Sequence, residues 1–203
     1  RKLLQAQRFN PASVMRLWKN LGDDYFIREN AKTIAWHTRT ILNHQIPGPL
    51  VAISETSFSA FEGGTQVFVY TQDRANLFAA LCAILGQLQL SIQDARIITT
   101  EDGYSMDTFI VLDANGTTIN QTPALLAQLQ LRLTQALQDP MDFGCLVEQR
   151  QPRTHKLFNQ PSIVSLSNPP GRSWTRLELS SADRQGLLAE VGLVFMRLGI
   201  SVQ

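Results

Sequence analysis

The first 46 residues place apolar side chains at helical spacing. They form two groups on either side of the stretch GDDYF at 22–26: Val14, Leu17, Trp18 and Leu21, then Ile34, Ala35, Thr38, Ile41 and Leu42. Gly22 breaks the first helix, and the acidic residues after it suit a new helix start. The pattern predicts a helical segment over 1–46, in which Trp18 and Trp36 join the helices or dock them on a neighbouring domain. The PGP stretch at 47–49 ends this segment, and 47–64 is predicted as a strand-and-loop connection.

From residue 65 the pattern changes to that of a sheet with two covering helices. TQVFVYT alternates and is rich in Val, Phe and Tyr, and LSIQDARIITT and YSMDTFIVLD are two further strands joined by an Asp-Gly turn. The apolar stripes of the two helices are Leu77, Phe78, Leu81, Ile84, Leu85 and Leu88, then Leu125, Leu126, Leu129, Leu133 and Leu137. FGCLVEQ at 143–149 supplies a last strand. The order β-α-β-β-α-β over 65–150 predicts an α+β, ferredoxin-like domain.

The stretch from Thr71 to Gln93 returns 110 residues later in the chain. Seven of its 23 positions are identical in the second copy, and the first helical stripe has an apolar counterpart at every position: Leu187, Leu188, Val191, Val194, Phe195 and Leu198. Such agreement in register indicates a duplicated unit. Residues 151–172 contain four prolines and are predicted as a linker, and 173–203 as the start of a second, incomplete copy. Because an isolated two-strand fragment is only marginally stable, we expect the sequence to be part of a longer protein.

Composition narrows the class of protein without naming its function. An apolar fraction of 44% with 17% charged residues is typical of a folded globular chain, and the formal net charge of +1 gives no reason to expect a nucleic-acid partner. Cys82 and Cys145 have neither metal-site nor disulfide spacing, which suits a reducing compartment. The start of the sequence has no signal-peptide pattern, and the uncharged stretch 75–93 is periodic and contains amides, so no membrane association is predicted. The cytoplasm is the expected location.

The turn Asp-Arg-x-x-Leu between a strand and a helix, with a β-β-α-β tail after it, resembles the ACT domain, a regulatory module that commonly binds amino acids. Three segments, LWKNLGDDYFIRENAKTIAWHT, GGTQVFVYTQDRANLFAALCAIL and DGYSMDTFIVLD, together resemble the C-terminal part of the bacterial bifunctional uridylyltransferase/uridylyl-removing family, which modifies the PII nitrogen-signalling protein. The resemblance implies a tandem ACT region that follows a nucleotidyltransferase domain and an HD-type hydrolase domain. It also implies glutamine as the effector, PII as a partner and Mg²⁺ for the parent enzyme. The chain carries no Asp-x-Asp pair after a Gly-Ser turn and no adjacent His-Asp pair, so it is itself predicted to be non-catalytic and without a cofactor.

The two strand-to-helix turns, QDRAN and ADRQG, are the predicted effector sites. Free backbone N–H groups at a helix start favour an anion, so an amino-acid carboxylate fits there, with Asp73 or Asp183 facing its ammonium group. The alternative is that both acids only cap helices. Gly186 keeps the glycine that the ACT pattern has before the leucine, whereas the first copy has Asn76, which tolerates unusual backbone angles. The resemblance also places the following strand of a partner unit at the site, so the predicted binding residues are Asp73, Arg74, Asn76, Gln93, Asp94, Asp183, Arg184, Gly186 and Leu187, with Gln203 matching Gln93.

Two other functions remain open from the sequence. The ACT pair can serve as an assembly module that joins sheets or helices, within or between chains, without a ligand. RNA binding is disfavoured because DTFIVLD has one aromatic residue and an acid at each end, where an RNA-binding strand needs basic and stacking groups. His37 and His44 are read as packing or surface residues rather than metal ligands, and Cys82 as a packing residue.

Overall fold

The computed structural model describes residues 9–56, 63–138, 161–171, 174–181, 187–200 and 202. In chain order, the elements are α1 (Pro11–Lys19), α2 (Asp23–Arg28), α3 (Ala31–Asn43), β1 (Leu50–Glu55), β2 (Thr65–Gln72), α4 (Leu77–Gln87), β3 (Ser91–Thr99), β4 (Tyr104–Leu112), α5 (Pro123–Gln138), β5 (Ile163–Ser167), β6 (Arg176–Ser180) and α6 (Leu187–Leu198). The helices and strands predicted within these residues are therefore confirmed. The boundaries of the predicted domains stay predictions.

Local sequence explains where the N-terminal helices begin. Asn10 precedes Pro11 and accepts a hydrogen bond from the Ala12 backbone N–H at 2.9 Å. Asn30 accepts from the N–H groups of Lys32 and Thr33, also at 2.9 Å. Helix α2 follows its N-cap residue Gly22 and has two aspartates in its first turn, as GDDYF predicts. The Asn10 and Asn30 side chains satisfy backbone donors that a helix start otherwise leaves unpaired.

The sheet of the first repeat is antiparallel, with the strand order β1-β2-β4-β3. Strand β1 pairs with β2 from Leu50 opposite Tyr70 to Glu55 opposite Thr65. It thus occupies the place beside β2 where a ferredoxin-like domain has its last strand. Within the predicted connection, Leu50–Glu55 is therefore a strand of the sheet, and Val51 and Ile53 pack into its core. The predicted last strand at 143–149 lies outside the described residues, so the structure shows a mixed α/β fold, and its ACT topology stays a prediction.

Alternating side chains of β2 enter two different cores. Val67 and Val69 pack with α4 and α5 on one face, and Phe68 packs with the N-terminal helices on the other. All three side chains are fully buried, with 0% of their surface exposed. The result is a three-layer arrangement, helices–sheet–helices, in which the helical segment 1–46 belongs to the same folded unit as the sheet wherever it is described.

A buried polar cluster joins the N-terminal helices to the sheet. The His37 ring stacks on Phe68 with 4.1 Å between centroids, and its Nδ1 lies 3.0 Å from the Tyr25 hydroxyl. Burial, reinforced by the charge of Arg96, lowers the pKa of His37 to about 3, so this imidazole stays neutral. His37 is thus a packing residue, as expected, and His44 lies elsewhere with its Nε2 3.2 Å from the Gly48 carbonyl oxygen.

The second repeat begins one strand earlier than its sequence predicts. Residues 163–167, which were assigned to the 151–172 linker, form β5 and pair with β6. A strand can form within the predicted linker because the prolines flank it instead of interrupting it. Val164 lies opposite Leu179 and Leu166 opposite Leu177, just as Val51 lies opposite Val69 and Ile53 opposite Val67 in the first repeat.

Helix α6 of the second repeat packs against α4 of the first. Leu193 and Met196 contact the outer side of α4 at Ala79 and Ala83. The approach is closest at Gly192, where an added Cβ would lie 2.8 Å from the Ala79 Cα. Only a residue without a side chain fits that spacing, so Gly192 sets how closely the two helices pack.

The close contact between α4 and α6 predicts that Gly192→Ala lowers the stability of the fold instead of raising it. In an unhindered helix, Gly192→Ala would raise stability by up to about 1 kcal/mol. Because its Cβ meets the backbone of Ala79, we expect instead a loss of about 1–3 kcal/mol and faster amide hydrogen exchange throughout α6. Val194→Ala, on an exposed position of the same helix, is the matched control and should leave the exchange of α4 unchanged. Slower exchange in Gly192→Ala than in the wild type would show that the contact is absent in solution.

Candidate functional site

The predicted turn before α4 lies beside the hairpin that joins β3 to β4. The Asp73 backbone N–H donates to the Gly103 carbonyl oxygen at 2.8 Å, and the Thr99 hydroxyl donates to Asp73 Oδ2 at 3.4 Å. Asp73 is exposed and is not the N-cap residue of α4. Its carboxylate therefore lies at the edge of the turn, next to the ends of three strands.

Asn76 is the N-cap residue of α4, and its side chain makes no capping hydrogen bond. Its backbone is left-handed, with φ at 66° and ψ at 7°. Asn is one of the few residues that adopt this conformation readily, which accounts for its presence where the ACT pattern has glycine. The first turn of α4 consequently starts without a side-chain oxygen from Asn76 over its N–H groups.

Arg74 is directed toward a helix end. Its Nη2 donates to the Leu137 carbonyl oxygen at 2.6 Å, in the last turn of α5. Burial lowers the pKa of this guanidinium. A cation that bonds terminal carbonyls stabilises a helix end, so the geometry favours a structural role for Arg74.

Gln93 and Asp94 lie at the opposite end of the sheet from Asp73. Asp94 stands opposite Ile110, whereas Thr99, which contacts Asp73, stands opposite Ser105, about 16 Å further along the strands. Gln93 Nε2 donates to the Ser91 hydroxyl at 2.8 Å, beside a bulge in β3. The structure does not bring these two residues to the Asp73 turn within one chain.

Asp94 takes part in an ion-pair network that ties β3 to the N-terminal helices. Arg96 Nη2 lies 2.9 Å from Asp94, and Arg96 Nη1 lies 3.1 Å from Glu29 at the end of α2. Burial raises the pKa of Glu29, while Arg96 lowers it by charge and hydrogen bonding. The network stabilises the three-layer fold, which gives Asp94 a structural role in this chain.

The second predicted site is described only in part. Asp183, Arg184, Gly186 and the matching Gln203 lie outside the described residues. Leu187 is the first residue of α6. The binding roles assigned to these residues stay predictions.

The sequence reading missed Asp107, a fully buried acid on the sheet face that α4 and α5 cover. It lies on β4 with Phe109 and Val111, which face the core covered by α4 and α5. Ser105 donates to Asp107 Oδ1 at 2.5 Å, and Oδ2 has no hydrogen-bond partner. The signal was present in DTFIVLD, where an acid shares the strand face of two core residues.

Burial raises the pKa of Asp107 to about 7. The charge of Asp73 raises the pKa further, and the hydrogen bond from Ser105 lowers it. The field of Asp107 also reaches α4, where burial first and then Asp107 raise the pKa of the Cys82 thiol. Cys82 is completely buried, which confirms the expectation that it is a packing residue.

The described residues also bear on metal binding, membrane spanning and RNA binding. Among them, no cluster of three or more His, Cys, Asp or Glu side chains is arranged to hold a metal ion. No helix in the part of the chain that the structure describes has the length and apolarity to cross a bilayer. The sheet face that an RNA-binding domain would expose is covered here by the N-terminal helices.

The chain is similar to known proteins over nearly its whole length. Residues 1–40 match the family model described as Uridylyltransferase GlnD fifth domain. Curated proteins named bifunctional uridylyltransferase/uridylyl-removing enzyme match nearly the entire chain. The chain is 43% identical over 202 residues to the one from Pseudomonas putida strain W619, covering 99% of this chain and 22% of that protein. It is also 43% identical over 195 residues to those from Ectopseudomonas mendocina and Azotobacter vinelandii, covering 96% of this chain and 22% of each protein.

The chain is related throughout to the bifunctional uridylyltransferase/uridylyl-removing enzymes. The resemblance seen in the sequence is thereby confirmed. The chain spans 22% of the length of these curated relatives. No solved structure matches it.

In this relative of the uridylyltransferases, Asp107→Asn should remove a loss of stability that occurs as the pH rises. The folded state holds the Asp107 proton more tightly than the unfolded state, whose pKa is near 3.8, so wild-type stability falls as pH rises from about 4 to 7. The amide is neutral at every pH and avoids this loss. We expect the stability of the variant relative to wild type to grow by about 2–3 kcal/mol between pH 5 and pH 8, measured by urea unfolding.

Asp113→Asn is the matched control for that measurement. Asp113 is an exposed acid whose pKa is lowered mainly by the hydrogen bond from the Thr117 backbone. Its stabilising effect is complete above the unfolded pKa, so its variant should differ from wild type by the same amount at pH 5 and pH 8. A difference for Asp107→Asn that also stays constant with pH would show that Asp107 is ionised in the folded chain.

Proposed function

We propose that this chain is the regulatory region of an enzyme that uridylylates and deuridylylates the PII signalling protein, and that it senses glutamine. The relationship to the bifunctional enzymes over nearly the whole chain supports the first part. The observation that carries the second is the start of α4, which has no side-chain cap from Asn76 and opens beside the exposed carboxylate of Asp73. An α-amino acid presents the two complementary charges on one carbon.

The effector binds with its carboxylate at the first turn of α4, where backbone N–H groups and the helix dipole favour an anion. Its ammonium group faces Asp73. The same Asp-Arg turn returns at Asp183 and Arg184, so the second repeat offers a second site of the same kind. Which repeat binds more tightly is a question for paired variants.

Control of the enzyme follows from the position of α4. This helix carries the candidate site at its start and the second repeat on its outer side, where α6 contacts Ala79 and Ala83. A ligand shifts an equilibrium between two arrangements only by its difference in affinity for them. Glutamine that prefers one packing of α4 and α6 would thereby change the balance between uridylyl transfer and uridylyl removal.

The catalytic activities belong, in this proposal, to the longer enzyme. The chain contributes no catalytic residue, and it needs no cofactor of its own. The nucleotidyltransferase and hydrolase reactions, the Mg²⁺ expected for transfer and the contact with PII are assigned to the parent protein. A cytoplasmic location accords with a PII substrate and with the buried free thiol of Cys82.

A ligand-free assembly module is the second candidate function. The close contact of Gly192 with Ala79 favours it, because this packing itself joins the two repeats. The two functions differ in what glutamine does. An assembly module is neither stabilised nor rearranged by glutamine.

Calorimetric titration of glutamine into the 203-residue chain tests the proposal, with glutamate and 2-oxoglutarate as controls. We expect glutamine to bind, and one of the variants Asp73→Asn and Asp183→Asn to weaken binding at least about tenfold, because a charged hydrogen bond contributes roughly 1.5–3 kcal/mol. The variant that does so identifies the repeat that binds. Absence of heat and of thermal stabilisation for a folded chain would favour the assembly module.

A further inference from the structure

Asp107 has an unsatisfied carboxyl oxygen in a place where burial makes that costly. The residue is 0% exposed, its Oδ1 accepts from Ser105, and its Oδ2 has no partner. A buried polar atom without a hydrogen bond costs about 1–3 kcal/mol, and nearly all such atoms in folded proteins are paired. The unpaired oxygen, on a residue whose charge interacts with Asp73 of the candidate site, is therefore an acceptor that an N–H group of a ligand can satisfy.

The groups around Asp107 are polar or acidic. Asp73, in the turn before α4, adds negative charge, and the charge of Asp107 in turn reaches the Cys82 thiol of α4. The neighbouring strands contribute hydroxyls at the same end of the sheet: Thr71 and Thr99 both stand opposite Ser105. Arg74, the basic residue nearest in sequence to Asp73, donates to the end of α5. The charged side chain that acts on Asp107 in the described residues is thus another carboxylate, and a cation would be attracted there.

We propose that Asp107 receives the ammonium group of the bound amino acid and that the α4 start receives its carboxylate. The two positions suit one small zwitterion because Asp107 interacts electrostatically both with Asp73, in the turn before α4, and with Cys82 of α4, the helix whose first N–H groups attract the carboxylate. This inference rests on the proposed function for the identity of the ligand. It gives the ammonium group a second carboxylate, on an interior strand, in addition to the exposed Asp73.

Proton release accompanies this mode of binding. Because the pKa of Asp107 lies at about 7, much of the free protein carries a protonated, neutral carboxyl group at pH 6.5. An ammonium ion that donates to Asp107 favours the carboxylate, so the O–H bond breaks and the proton leaves to the buffer. The balance is one neutral acid and one cation giving one ion pair and one free proton. No oxidant or further reactant is required.

Titration of glutamine in two buffers tests the inference on the wild-type chain. At pH 6.5 we expect release of about 0.8 proton per glutamine, seen as a difference in heat between phosphate and Tris that matches their ionisation heats. The affinity should rise about eightfold from pH 6.0 to pH 7.5, since only the ionised carboxyl group binds. Asp107→Asn should weaken binding and abolish both effects, and Asp113→Asn should leave them unchanged.

The outcomes separate this inference from the proposed function. Glutamine binding with equal heats in both buffers and with full affinity in Asp107→Asn would overturn the role of Asp107 and leave glutamine sensing intact. Absence of glutamine binding to the folded wild-type chain would overturn both. The two-buffer comparison needs no variant, so it decides the matter even if Asp107→Asn fails to fold.

Discussion

The burial of strand β2 on both of its faces is the constraint on which the rest of the structure depends. Val67 and Val69 require the helices α4 and α5, and Phe68 requires the N-terminal helices. Losing either layer would expose large side chains to water at a cost of about 1.5–3 kcal/mol each. The buried polar groups follow from the same constraint, because His37 and Glu29 are enclosed between the N-terminal helices and the sheet.

Much of the fold was predictable from local signals in the sequence. Asparagine caps, acidic helix starts, apolar stripes and the Asp-Gly turn identify α1–α5 and the hairpin of β3 and β4, since each signal acts within a few residues. Pairing between distant strands has no such local signal. The place of β1 beside β2 and the existence of β5 between flanking prolines were therefore missed, although the uninterrupted VFVY in β2 is typical of a strand covered on both faces.

Only part of the candidate site, likewise, was predictable from the sequence. The turn and the left-handed Asn76 follow from the sequence, because backbone conformation at a helix start depends on nearby residues. The role of Asp107 does not follow from the sequence, because its burial results from the helix that covers β4. The nearby Arg74 side chain is directed toward the end of α5 instead of toward Asp107. Gln93 and Asp94 were grouped with the turn by resemblance to a site shared between units, but within one chain the length of β3 separates them.

The glycine at the contact between the repeats also governs which helices can pair. The counterpart of Gly192 in the first repeat is Cys82, 110 residues earlier, and the counterpart of Ala79 in the second is Ala189. Two first-repeat helices brought together in the same geometry would place a thiol side chain where an added Cβ already lies 2.8 Å from a backbone carbon. Pairing of a first repeat with a second is thus sterically permitted and pairing of two first repeats in this geometry is not, so one small residue decides which helices of the two repeats can pack this closely.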